Sequence, residues 1–449
     1  MSGARFSSLG LLLLCGSISV FWGIFLQPHA RGTHMDFKIV YMATRCMFEH
    51  CDPYQPSDLE RIYLAGEQNH SKDPEVSRIE TKIIYLPTVF SIASPFAVLP
   101  WPLAHQLWLV FTVVSFFLAA FLTWSLGMEY APGLTTFLSC FLIVNCPIIF
   151  KTENAAGIAV DLCVIAVWCL LQERFAVCGV LCLAISLVIK PHDAGLVWLF
   201  FLLAGGLYRR RALQTLVVAV ALSLPAVIWI SHVSPHWLQE LHSNLVTLSA
   251  RGNLNDPGPA SLTARTPNMM ISLQTIFSVI RDEPSFYNPA TYLVCAALLV
   301  PWALKVFRTR PSPEQAWLAI AAVVPLTMLV TYHRPYDAKL ILLAIPACAM
   351  LWAKGGQIAQ WAFAFTTAGV ISTADFPLGI IVVLSGNLHL SPVGFAGKAL
   401  TIFLARPVPL ALLAMASFYL VVYLRRAPDS PATMGPHDEG QAEGIMAPS

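Results

Sequence analysis

The stretch YLPTVFSIASPFAVLP, Tyr85 to Pro100, decides how the rest of the chain is threaded. It is apolar throughout, yet at 16 residues it falls short of the ~20 that a spanning helix needs. Prolines at 87, 95 and 100 interrupt it, and each removes a backbone donor that lipid cannot replace. We read it as a re-entrant or interfacial segment that does not cross.

The chain around it is oily. Of 449 residues, 57% are hydrophobic and 12% charged, against about 25% charged in a soluble domain. An all-α integral membrane protein follows. Apolar runs near 8–26, 103–126, 133–150, 155–171, 175–190, 193–207, 211–231, 289–304, 315–332, 337–353, 357–373 and 408–424 are candidate spans. The basic clusters Arg209–Arg211, Lys305/Arg308/Arg310 and Arg425–Arg426 belong on the cytoplasmic side. All three fall there together with Arg5 only if 85–100 stays on one face. About twelve crossings result, with both ends inside and two large outer loops, about 27–102 and 232–288.

Arg5 precedes the run from Leu9 to Leu26, and no small-x-small cleavage signal follows, so the first run reads as an uncleaved span. A membrane domain over 1–426 is followed by 427–449, rich in Pro, Gly and acid, which reads as a disordered cytoplasmic tail. The net charge of +2 and the absence of a basic, aromatic-laced stripe argue against nucleic acid as a partner. No Walker-type loop or GxGxxG appears. No internal repeat suggests a transporter built from related halves. Cys140, Cys146, Cys163, Cys169, Cys178 and Cys182 sit in apolar runs and read as small hydrophobes. Cys46 and Cys51 share a polar loop, where a disulfide is open to them if that side is oxidising.

On this threading the outer face also receives three short polar connections: KTEN (151–154), KPHD (190–193) and YHRPYD (332–337). Asp36, just after the first span, is either a helix N-cap or a general base at the water–lipid boundary, with His34 beside it. Lys190, His192, His333, Arg334 and Lys339 offer donors for a phosphate oxyanion; the competing partners are anionic headgroups of membrane lipids. Glu153, Asn154, Tyr336 and Asp337 are candidates for sugar or acceptor hydroxyls. Asp58 and Glu60 form an Asp-x-Glu, a pattern common by chance, and we assign no metal site there. The 232–288 loop, with Trp237, Phe286 and Tyr287, reads as a structured lid.

Several of these motifs, in this order, resemble glycosyltransferase family 87 of the GT-C superfamily. They are D-F-x-x-Y after the first span (Asp36, Phe37, Tyr41), D-P-Y (52–54), Y-x-P (Tyr85, Pro87), the span-ending I-K-P (189–191) and H-x-x-Y-D (His333, Tyr336, Asp337). The likeness runs from about residue 8 to 425. It implies a GT-C-type polytopic helical bundle and inverting transfer of a hexose, mannose by default. The donor would be a polyprenyl-phosphate sugar and the acceptor an envelope lipid or glycan, at the outer face of a bacterial plasma membrane. On that resemblance Asp36 is the general base, and Lys190, His333 and Arg334 neutralise the departing phosphate. No cofactor is implied, and metal dependence stays open. This chain has Thr152-Glu153 where family members often carry Gly-Gln. A transporter or lipid-linked sugar flippase is the alternative from another class.

Overall fold

The computed structural model describes residues 3–27, 36–66, 82–264, 266, 269–388 and 393–426. The expected tail at 427–449 and His34 lie outside them. All regular structure among the described residues is helical. Proline opens many of the helices, at Pro132, Pro147, Pro191, Pro284, Pro313 and Pro407. Its missing N–H is one that a first helical turn leaves unused.

Among the described residues, seven helices are long and apolar enough to cross a membrane: Arg5–Leu26, Trp101–Gly127, Pro132–Thr152, Gly206–Val233, Pro284–Arg308, Pro313–Val330 and Pro407–Arg425. Gly356–Ser372 and Asp375–Asn387, bent by 69°, make an eighth if they act as one broken span. The difference from twelve lies in particular places. The runs near 155–171, 175–190 and 193–207 fold as helices of 17, 14 and 13 residues. The run near 337–353 starts as a 3₁₀ helix, Asp337–Ala344, before Ile345–Lys354. Each is shorter than a bilayer crossing needs. Ala155–Leu171 is buried over nearly its whole length, so its neighbours are protein and packing sets its extent. Tyr85–Pro100 contributes only the ten-residue helix Thr88–Ala97, with Pro95 inside it.

The Asp36–Phe48 helix is pinned by aromatic packing. The Phe37 ring stacks on Trp108 at 4.1 Å between centroids, and the Tyr41 hydroxyl donates to the Leu99 carbonyl at 2.7 Å. This sets Asp36 at the start of the helix, against the head of the Trp101–Gly127 span. Cys46 and Cys51 are joined by a disulfide, with Cα atoms 5.1 Å apart. Asn244, on the helix Trp237–Ser249, donates to the Tyr54 and Ile83 carbonyls. Ile271 N–H donates to the His333 carbonyl at 3.0 Å. These contacts hold the long loop down on the bundle as a packed cover.

At the other end of the Pro284–Arg308 and Pro313–Val330 helices, Glu314 pairs with Lys354 and Arg426. Lys305 donates there to the Arg426 carbonyl.

The first span packs closely on Pro132–Val144 and Pro147–Thr152. At Gly23 an added Cβ would lie 2.5 Å from Phe150 Cβ and 2.7 Å from the Pro147 carbonyl oxygen. Gly23→Ala should therefore push the two segments apart and lower stability by about 1–3 kcal/mol, read as thermal unfolding in detergent. Gly10→Ala, where nothing lies within 4 Å, should leave it unchanged.

Candidate functional site

The site forms where the polar connections meet. Asn154 has its side-chain carbonyl accepting from Ala156 N–H at 2.8 Å, which caps Ala155–Leu171. Its amide nitrogen donates to Asp36 Oδ2 at 2.7 Å and to the Tyr336 hydroxyl at 3.2 Å. One side chain thus both starts a buried helix and fixes the carboxylate of another.

Lys190 closes the helix Ala176–Ile189. Its Nζ lies 2.5 Å from Asp337 Oδ1 and 3.6 Å from Asp193 Oδ2, and it also faces the rings of Tyr336 and Tyr332. The second oxygen of Asp337 accepts Arg334 N–H at 2.8 Å. The Arg334 guanidinium donates to the Tyr332 hydroxyl at 2.6 Å, to Asn255 Oδ1 at 2.9 Å and to the Leu254 carbonyl at 3.1 Å. Asp193, Asp337, His333 and Lys339 are all buried, with Arg334 and Lys190 nearly so. The expected patch of free cations is in fact a paired network, because a buried charge is stable only with a partner.

Lys190 opens onto a cavity of about 440 Å³, while Asp36, Asp193, His333, Arg334 and Asp337 stand behind its lining. Tyr85, Asn154, Lys190, His192, Tyr332 and Tyr336 line it, with Asn255, Tyr287 and Gln274 contributed by the long loop and the helix after it. Ile84, Leu86, Ile189, Leu241, Leu245 and Met270 give it a large apolar share. Burial, reinforced by the Asp36 charge, holds the Tyr85 phenol well above its usual pKa.

Two expected residues go elsewhere. Glu153 adopts a left-handed backbone, with φ of 51°, and its side chain is buried inside the protein, off the cavity wall. There it meets His105 Nε2 at 2.7 Å and Gln27 Nε2 at 2.9 Å. Lys339 faces Asp375 at 3.6 Å and the Asn145 carbonyl at 3.4 Å. Neither lines the cavity. Sequence reasoning left Asp193, Tyr332 and Asn255 without roles. Asp193 and Tyr332 stood within the quoted KPHD and YHRPYD connections, whereas nothing local marks Asn255, which is brought in by the long loop.

Comparison with protein-family models, curated proteins and solved structures finds no match to the chain.

Asn154→Ala should cost about 1 kcal/mol from the lost cap alone. Asn154→Asp keeps the cap but sets a second carboxylate against Asp36. One of the pair then holds its proton to higher pH in the folded state than in the unfolded chain. The folded state binds the extra proton, so stability is retained at low pH and falls as pH rises through the raised value. Thermal unfolding of Asn154→Asp and wild type across a pH series checks this; parallel curves would contradict it.

Proposed function

We propose that the chain is an inverting membrane glycosyltransferase. It moves a hexose, mannose in the first instance, from a polyprenyl-phosphate donor to an envelope lipid or glycan. The observation carrying this reading is the Asp36 carboxylate, held by Asn154 beside a half-apolar cavity that also receives Lys190 and, through Tyr332 and Asn255, Arg334. The family 87 motifs of the sequence lead to the same residues: Asp36, Tyr85, Lys190, His333 and Tyr336 all take part in this cluster or its immediate pairs.

In the proposed reaction the acceptor oxygen attacks the sugar C1 while Asp36 takes its proton. The bond from C1 to the phosphate oxygen breaks, and its electron pair stays on the phosphate. Lys190 and Arg334 stabilise that charge as it develops. The apolar walls suit the first isoprene units of the donor. A single displacement needs no enzyme nucleophile, and none is assigned.

The wider assignment, a bacterial plasma-membrane protein with about twelve spans and both termini inside, belongs to the same proposal. The Cys46–Cys51 disulfide supports an oxidising side for the cavity end, and the Lys305, Lys354 and Arg426 cluster at the other end supports a cytoplasmic one. Arg251 is well exposed near the cavity cover, and Arg210 is exposed at the far end. Cysteine replacing Arg251 should react with an impermeant thiol reagent applied to intact cells, and cysteine replacing Arg210 should react only after permeabilisation. The opposite pattern would overturn the orientation.

The activity is tested with purified protein in detergent, labelled polyprenyl-phosphate-mannose and crude envelope lipids. Wild type should transfer the label, and Asp36→Asn, folded to the same thermal transition, should lose about 10²–10⁴-fold in rate. Undiminished transfer by Asp36→Asn would remove the base. Movement of lipid-linked sugar across vesicles without any transfer would favour the flippase reading.

A further inference from the structure

His333 and Asp193 meet at a buried contact whose balance turns on one positive charge. Its Nδ1 lies 3.1 Å from the Thr331 carbonyl; a carbonyl only accepts, so Nδ1 carries the proton. In the neutral ring, Nε2 then presents a lone pair. That atom faces Asp193 Oδ1 at 3.0 Å, yet the two do not meet hydrogen-bond geometry, and both are buried without another partner. This contact is satisfied by a positive charge at Nε2, either a second proton on the ring or a metal ion bound by both atoms. His192 completes the group: its ring lies 4.9 Å from that of His333, and one ligand atom from each of His192, Asp193 and His333 falls within 4.8 Å of the others.

We propose that His192, Asp193 and His333 bind one divalent first-row transition ion at the edge of the cavity. Two imidazoles and one carboxylate are a donor set suited to zinc and its neighbours, and leave coordination positions open to a ligand. The surroundings fit. A ligating histidine ordinarily donates its second ring N–H to a backbone carbonyl, as His333 does to Thr331. Asp193 would ligate through Oδ1, leaving Oδ2 toward Lys190 at 3.6 Å. His192 is exposed and lines the cavity, so its ring has room to swing onto the ion and its side faces an incoming ligand.

Charge balance gives the ion a role. Asp193 and Asp337 share the single ammonium of Lys190, so a divalent ion held by His192, Asp193 and His333 would add positive charge at the edge of the cavity. The ligand class is thus a phosphate or other oxyanion that completes the metal's coordination. This role, though not the site itself, rests on the glycosyl-transfer reading.

The test is metal binding by the full-length protein in detergent, stripped with a chelator and titrated with zinc chloride against a chromophoric zinc indicator. Wild type should take up one zinc per chain. Asp193→Asn and His333→Gln should each weaken binding by about 100-fold or more, and His192→Ala by at least about 10-fold. His192→Ala leaves the buried Lys190–Asp337 pair intact, so unchanged thermal unfolding without zinc separates a lost ligand from a lost fold. No zinc uptake by wild type, or uptake by all three variants with wild-type affinity, would overturn the site. It would then assign the cation to a proton on His333. Because no donor or acceptor is present, this result stands apart from success or failure of sugar transfer.

Discussion

The ion pair between Lys190 and Asp337 is the joint on which the cavity end of the bundle depends. It links the end of Ala176–Ile189 to the start of the 3₁₀ helix Asp337–Ala344 across 147 residues of chain. Both groups are buried. Removing one partner from such a pair leaves an uncompensated charge, at about 3–5 kcal/mol. The arrangement therefore has little freedom to slide. Asp337 also takes the Arg334 N–H, so the same carboxylate closes the turn that aims Tyr332 and Tyr336 at the cavity.

Asn154 does for the carboxylate side what Asp337 does for the cationic side. Each organises the fold and a group of the site at once: Asn154 caps a buried helix and fixes Asp36, and Asp337 closes a turn and holds Lys190. The polar groups that organise the fold and those that face a ligand are largely the same atoms. Preorganisation follows, since groups held by the backbone need not be reordered when charge develops. The cost is that function and stability are hard to separate by substitution, except where a replacement preserves one of two roles.

Much of this was legible in the sequence, and the limits have physical causes. Long apolar runs and their opening prolines mark the helices, because a lipid-facing backbone must satisfy itself. Tyr85–Pro100 yields only the ten-residue helix Thr88–Ala97, as its length and its prolines, both local properties, imply. The runs from 155 to 207 and 337 to 353 form helices shorter than a bilayer crossing: a helix enclosed by protein need not match the bilayer, and hydropathy does not distinguish lipid from neighbouring side chains. KPHD and YHRPYD stood out as polar connections, but their pairing did not. Whether Lys190 meets a ligand or Asp337 depends on two turns meeting in space. Glu153 and Asn154 were grouped as sequence neighbours, yet Asn154 lines the cavity and Glu153 does not. Lys339, six residues past His333, is turned by the 3₁₀ helix toward Asp375.

The two ends of the bundle handle charge by different physics. At the Glu314 end, Lys354 is half exposed and Arg426 partly so; water carries much of their solvation, so exposed pairs there add little to stability. Charges of that kind can set orientation in a membrane without fixing local structure. At the cavity end the ionic groups are buried, and each must be balanced by a neighbour. A fold needs no such cluster to remain helical, because apolar side chains of similar volume pack at least as well. That so many ionisable groups are gathered at one end, around a cavity rather than within a filled core, is the structural argument that this end meets a charged ligand.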